Sequence, residues 1–197
     1  MATKKAVIVI DMLNDFVTGA LANPAGEAIL PKLAELLDAA RANGWLVVYA
    51  NDAHLPGDYE EKVWGPHALA GTPGAEVVPE IAPQPSDHVL PKRFYSSFYE
   101  TGLESLLDQN GVEEIIITGQ HTHICVRHTS SDAFNNGFAI TVPRDATAMF
   151  QTPDQSAAEY ARSHQDALDY LVTVYGARIT TVDELLKSGV REAAAVS

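Results

Sequence analysis

Short apolar runs set the strongest constraint on how this chain folds. Ala6-Val7-Ile8-Val9-Ile10 is apolar without interruption, and Ile115-Ile116-Ile117-Thr118 is a second β-branched run. A strand with one wet face alternates polar and apolar residues. An unalternating strand must be covered on both faces, the usual state of a parallel strand in an α/β layer. Trp45 to Ala50, His88 to Leu90, Phe138 to Val142 and Ala177 to Thr181 supply four further runs. Between them lie segments with helical spacing: Glu27 to Asn43, Leu103 to Gln109, Ile124 to Asn136, Gln155 to Tyr175 and Val182 to Ser188. The spacing predicts one doubly wound α/β domain, a mainly parallel six-stranded sheet with helices on both faces, in a Rossmann-like three-layer sandwich. Residues 1–190 form this domain and residues 191–197 read as a frayed tail. Gly71 to Pro85, with Pro73, Pro79, Pro83 and Pro85, is mostly loop, with one short helix near Ala75 to Val78.

Composition narrows the partners. Thirteen Lys and Arg stand against 26 Asp and Glu, a formal charge of −13, so neither nucleic acid nor an anionic membrane is an expected partner. The N-terminal apolar stretch before Asp11 is too short for a secretory signal, and no later stretch approaches a membrane span, so a cytoplasmic location is expected. Cys125 is the only cysteine and has no internal disulfide partner. It is either an inert buried residue or a nucleophile.

The carboxyl ends of parallel strands are where ligand chemistry collects in open α/β sheets. Asp11 follows the first run, Lys92 the third and Cys125 the fourth. Taken singly, Asp11 reads equally as a turn or capping residue and Lys92 as a solvated cation. Taken together they form a coherent set: a thiolate to attack a carbonyl, a carboxylate to move the proton, and an ammonium to hold both anions. Cys125 sits where a helix should start, so the helix dipole is expected to favour its thiolate. After the second run comes Asn51-Asp52-Ala53-His54. If extended, Asp52 and His54 point the same way, and His67 can fold back toward them. Two imidazoles and a carboxylate suit zinc, iron or manganese, although surface Asp and His are also common in loops.

At this level of detail the chain resembles the isochorismatase-like cysteine hydrolases, a family that includes nicotinamidases and N-carbamoylsarcosine amidases. Four motifs match in order across roughly residues 5–185. Val7-Ile-Val-Ile-Asp11-Met-Leu-Asn-Asp15-Phe16 is similar to the family's first-strand motif. Asn51-Asp52-Ala53-His54, with Trp64-Gly-Pro-His67 and Gly71-Thr-Pro-Gly74-Ala-Glu76, is similar to the metal loop. Lys92-Arg-Phe-Tyr95-Ser96-Ser-Phe98 resembles the lysine motif, and Gly119-Gln-His-Thr122-His-Ile-Cys125-Val126 the nucleophile motif.

The resemblance implies Cys125 as nucleophile, Asp11 as general acid and base, and Lys92 as their charge partner. It implies a cis peptide between Gln120 and His121 that aims the N–H of His121, with that of Cys125, at an oxyanion. It also implies a divalent metal, zinc first with iron or manganese as alternatives, on Asp52, His54 and His67, binding the ring nitrogen of a substrate flanked by Phe16 and Trp64, with Tyr95 nearby. The activity implied is release of ammonia from a small primary amide, nicotinamide first. A carbamoyl or ureido substrate is the alternative, for which Arg93 and Arg127 could reach a carboxylate. Isochorismate cleavage is disfavoured by the cysteine. A non-catalytic small-molecule-binding module of the same fold is the reading from another class. Homo-oligomers, dimers or tetramers, are common in such a family. His121 and His123 stand where relatives often carry a small and an acidic residue, and Glu100 stands where a glycine is common.

Overall fold

The computed structural model describes residues 4–194, with side chains through Ser188 in the last helix. In chain order the elements are β1 (Lys5–Ile10), α1 (Asn14–Val17), α2 (Pro24–Ala28), α3 (Leu30–Ala42), β2 (Leu46–Asp52), α4 (Glu61–Trp64), β3 (His88–Lys92) and α5 (Leu103–Asn110). They continue with β4 (Glu114–Gln120), α6 (Arg127–Asn135), β5 (Ala139–Pro143), β6 (Thr147–Ala148), α7 (Ala157–Tyr175), β7 (Arg178–Thr180) and α8 (Val182–Ala194). The sheet runs β3-β2-β1-β4-β5-β7, with β6 added to β4, and every strand pair is parallel. Order proceeds outward from β1 in one direction and from β4 in the other. The topological switch point therefore lies between these two, where parallel sheets open a crevice.

Successive residues of β1 serve opposite faces, as the strand period requires. Val7 and Val9 pack with Leu33, Leu36 and Leu37 of α3 and Leu185 of α8. Ala6, Ile8 and Ile10 pack with Leu103 and Leu107 of α5, Ala133 of α6, and Leu168 and Leu171 of α7. All six residues of β1 are buried, as an unalternating run demands. Each buried Leu or Ile contributes roughly 1.5–3 kcal/mol. The two cores thus fix which strand ends face the crevice.

Several boundaries differ from the sequence expectation. The helix expected over residues 27–43 starts earlier and breaks at Ile29, because Pro31, without an N–H, occupies the first turn of a new helix at Leu30. The helix expected from Gln155 begins at Ala157. Ser156 accepts the Glu159 N–H at 3.3 Å, while the Glu159 carboxylate accepts the Ser156 N–H at 2.9 Å, a reciprocal cap that fixes the start. The single helix expected near Ala75 to Val78 is instead a pair of 3₁₀ turns, Pro73–Ala75 and Pro79–Ile81. The two-residue β6 is too short to leave a pattern. The last helix runs to Ala194, through residues read as the start of a frayed tail; residues 195–197 lie outside the described residues. Among the described residues no helix is long and apolar enough to cross a membrane.

One glycine is indispensable to the crevice. Gly119 pairs with Ile10 at φ +95°, and a Cβ there would come within 2.0 Å of the Ile10 carbonyl oxygen. Gly119→Ala forces β1 and β4 apart, and its expected cost is above about 4 kcal/mol in urea unfolding. Near wild-type stability would contradict the packing described.

A second test concerns the opposite end of the sheet. Arg41 of α3 donates to Asp87, just before β3, at 2.7 Å from Nη2 and 3.3 Å from Nε. Burial raises the Asp87 carboxyl, but Arg41 and the Gln84 N–H outweigh it and hold the group below its ordinary range. Stability from a depressed carboxyl is complete above its unfolded pKa and is lost as pH falls through the folded one. Asp87→Asn should therefore cost about 1–3 kcal/mol at neutral pH. The gap to wild type should close as pH falls below about 4; an acid-independent gap would overturn the assignment.

Candidate active site

Four strand ends converge at the switch point. Asp11 follows β1, Asp52 closes β2, Lys92 closes β3, and Gln120 closes β4 ahead of a π-helical turn, Thr122–Val126, that carries Cys125. The Lys92 ammonium lies 2.8 Å from Asp11 Oδ2, 2.5 Å from Asp52 Oδ1 and 3.8 Å from Cys125 Sγ. The second Asp11 oxygen accepts the backbone N–H of Asp52 at 2.8 Å. Asp11 is thus gripped at both oxygens, and its backbone at φ +52° turns the chain sharply out of the strand. The Gln120–His121 peptide is cis, as the resemblance implied.

Gln120 itself turns back into the fold. Its Nε2 donates to the carbonyls of Asp11 and Phe16, both at 3.3 Å, and its Oε1 accepts from Asn23 at 2.9 Å. The side chain therefore ties the end of β4 to the segment after β1.

The electrostatics follow from burial and charge order. Burial, then the neighbouring Asp52 charge, pushes the Asp11 carboxyl up to about 6 against the pull of Lys92. Burial also acts upward on Asp52, but Lys92 and His54 outweigh it and hold that carboxyl low. For Lys92 the two aspartates overcome desolvation and keep the ammonium charged. Cys125 departs from the sequence expectation of a helix-favoured thiolate. It lies inside the π turn rather than at the start of α6, and burial pushes its thiol up more than Lys92, already shared between two carboxylates, pulls it down. The resting site therefore holds a thiol.

Asp52 also borders a second cluster. Its Oδ2 makes no hydrogen bond and faces His54 Nε2 at 3.5 Å. Asp52, His54, Glu60 and His67, all buried, offer ligand atoms lying within 4.8 Å of one another. Glu60 is the member the sequence reading missed. It sits in a polar run, Tyr59-Glu60-Glu61-Lys62, that looks solvated, and only its place between His54 and His67 hinted otherwise. Burial, then Asp52, pushes the Glu60 carboxyl up to about 8.

The donor set fits a divalent cation. Both His54 nitrogens, Asp52 Oδ2 and Glu60 Oε1 are buried without hydrogen bonds, and a cation would satisfy such a cluster. His67 Nδ1 lies 2.8 Å from the Gly65 carbonyl, which makes Nδ1 the donor and leaves Nε2 free as a ligand. His54 Nδ1 faces Asp58 at 3.4 Å, and Asp58 is held by Arg93 and by the Leu55 N–H.

The adjoining pocket is lined by Phe16, Leu21, Trp64, His67, Tyr95, His121, Ile124, Cys125 and Phe150. The three residues expected to contact substrate, Phe16, Trp64 and Tyr95, all line it, and Trp64 Nε1 donates to the Tyr95 hydroxyl at 3.2 Å. Phe150 was not anticipated, because it arrives from the loop after β6. Two arginines expected to reach a substrate carboxylate are occupied elsewhere. Arg93 binds Asp58, and Arg127 lies over the Tyr170 ring at 3.8 Å. Glu100, at a position where relatives often carry glycine, has φ +54°, the left-handed conformation that explains the glycine.

Comparison with known proteins places the chain among amidase-like relatives. An N-carbamoylsarcosine amidase structure from Thermoplasma acidophilum superposes with a TM-score of 0.83 at 37% identity, covering 92% of this chain and 98% of that one. A zinc complex of the Pyrococcus horikoshii pyrazinamidase gives a TM-score of 0.79 at 31% identity, covering 90% of this chain and 99% of the other. The nicotinamidase/pyrazinamidase of Mycobacterium tuberculosis is 35% identical over 161 residues, 73% of this chain and 86% of that protein. The isochorismatase domain model matches residues 5–184, nearly the whole chain, and the parallel sheet and its crevice are those of the solved relatives: the chain belongs to the isochorismatase family of hydrolases.

Proposed function

We propose that this protein is an amidohydrolase that releases ammonia from a small primary amide through a thioester on Cys125, with nicotinamide as the leading substrate and nicotinate as product. The observation that carries this reading is Lys92, 2.8 Å from Asp11 and 3.8 Å from Cys125 beside an aromatic-lined pocket. As the amide carbonyl meets Cys125, Asp11 takes the thiol proton and the sulfur–carbon bond forms. Because the thiol is held protonated at rest, proton transfer and attack belong together. The N–H groups of His121 and Cys125 receive the developing oxyanion. Asp11 returns the proton to the leaving nitrogen, the carbon–nitrogen bond breaks, and ammonia departs. Water then attacks the thioester, Asp11 accepts its proton, and the acid is freed with the thiol restored. Lys92 stays charged throughout and offsets whichever of Asp11 or the sulfur is negative.

Asp52, His54, Glu60 and His67 would hold a divalent cation, zinc in the first instance. Such an ion would supply a Lewis-acid seat for a substrate ring nitrogen. His67 belongs both to this cluster and to the pocket wall, which puts that seat within reach of a ring in the pocket. The commitment of Arg93 and Arg127 to Asp58 and Tyr170 favours a neutral ring amide over a ureido acid. The 37% identity to an N-carbamoylsarcosine amidase keeps the carbamoyl reading as the second one.

Two experiments test this. Ammonia release from nicotinamide and from N-carbamoylsarcosine should favour nicotinamide, and Cys125→Ala and Asp11→Asn should each lower it by at least about 1000-fold. Turnover of the carbamoyl compound alone would keep the chemistry and replace the substrate. An active Cys125→Ala would end the thioester reading. For the cation, Glu60→Gln should weaken zinc binding by at least about tenfold in chelator competition. It should also shrink the rise in Tm that zinc gives the wild type. Equal affinity in both proteins would remove Glu60 from the cluster.

A further inference from the structure

The pocket beside Cys125 is walled mainly by rings and aliphatic groups, yet one polar ring enters the wall without a partner. His121 is 7% exposed, and its Nε2 is buried and makes no hydrogen bond. The ring meets three other rings, Phe16 at 5.7 Å, Phe150 at 5.8 Å and His123 at 6.2 Å between centroids. The residue before it cannot drift, because the Gln120 side chain is tied to Asn23, Asp11 and Phe16. Burial, then His123, pushes the imidazole down to about 3, so at neutral pH the ring carries no charge. A neutral imidazole is one donor and one acceptor. An unpaired buried nitrogen is costly, and nothing in the surrounding wall relieves it. The missing partner is supplied by whatever fills the pocket.

We propose that His121 is a specificity-determining residue whose ring hydrogen-bonds a second polar atom on the acyl part of the substrate, distinct from the scissile carboxamide and from the ring atom facing His67. The inference rests on the amidohydrolase reading and sharpens it. Three polar positions surround one small cavity: the Cys125 thiol, His67 at the cation cluster, and His121. Phe16 touches both histidine rings, at 5.4 Å and 5.7 Å, so they flank the same part of the wall. A planar ring with its amide at Cys125 and one nitrogen toward His67 leaves a further edge for His121. The substrate class is then a heteroaromatic carboxamide with an extra ring nitrogen or hydroxyl. Plain nicotinamide is accepted without satisfying His121. A site built to hydrogen-bond a substrate group discriminates strongly against the analogue lacking it.

The test compares nicotinamide with pyrazinamide and with the ring-hydroxylated nicotinamides in zinc-loaded wild type, His121→Phe and His121→Gln. kcat/KM is read from ammonia release, and dissociation constants are read by calorimetry in the Cys125→Ala background. Thermal unfolding of each variant establishes that it is folded, and His121→Ala replaces His121→Phe if the larger ring is not accommodated. The expected result is that at least one probe is preferred over nicotinamide by about tenfold or more in wild type and in His121→Gln. In His121→Phe that preference should fall to within about twofold, through KM. A preference unchanged in His121→Phe, or no preference for any probe in wild type, would overturn the proposal. If wild type releases ammonia from none of them, the amidohydrolase reading fails. The binding ratios then decide alone: a His121-dependent preference upholds the contact and its absence sinks it.

Discussion

The buried ammonium of Lys92 is the interaction on which the site depends. It closes β3, is 1% exposed, and has carboxylates at 2.8 Å and 2.5 Å. Removing an ammonium and two carboxylates from water costs several kcal/mol per ion, and only close mutual geometry offsets it. That geometry comes from the sheet. Parallel pairing sets Asp52 opposite Lys92 across β2 and β3, and the register of β1 against β2 brings Asp11 onto the Asp52 N–H. Moving any of these strands by one residue would bury an unmatched charge. The buried charge arrangement is therefore also a constraint on register.

Asp52 links the two halves of the site. One of its oxygens faces Lys92 and the other faces His54, so a single carboxylate borders both the buried ammonium and the acid–histidine cluster. Without a cation, Lys92, aided by His54, stands against the three carboxylates of Asp11, Asp52 and Glu60. This imbalance is consistent with the elevated Asp11 and Glu60 carboxyls. A bound dication would change both, since its charge would be the largest in the site. The charge of the Asp11 carboxyl and occupancy of the cluster are in this sense one electrostatic problem.

How much of this was legible in the sequence follows from what each residue depends on. Asp11, Lys92 and Cys125 were readable because each ends or follows a strand, and strand ends converge by topology alone. Asp52 and His54 were readable from period-two alternation just past β2. Glu60 was not, because its burial is decided by how the loop between β2 and β3 folds over His54, and local polarity there looks like that of a surface. Phe150 comes from a loop after a two-residue strand that leaves no pattern. The charge state of Cys125 was misjudged for a different reason. A helix start is a local feature, but Cys125 lies inside the turn before α6, and its burial near Asp11, Asp52 and Glu60 is tertiary and outweighs Lys92.

The same distinction separates chemistry from selectivity. The buried charges of Asp11, Asp52 and Lys92 are fixed by the sheet and are held in place by ion pairs that tolerate little displacement. Residues that line the pocket come from α1, α4 and the loops or turns after α1, α4, β3, β4 and β6, which share no register with one another. A change at Phe16, Trp64, His121 or Phe150 alters the cavity wall without touching the Lys92 network, because none of these side chains bonds to it. One strand framework can therefore present the same thiol, carboxylate and ammonium to different amides. An unpartnered polar ring such as His121 is the kind of feature by which one member of such a family would differ from its relatives, since its cost in the empty pocket is recovered only by a ligand that matches it.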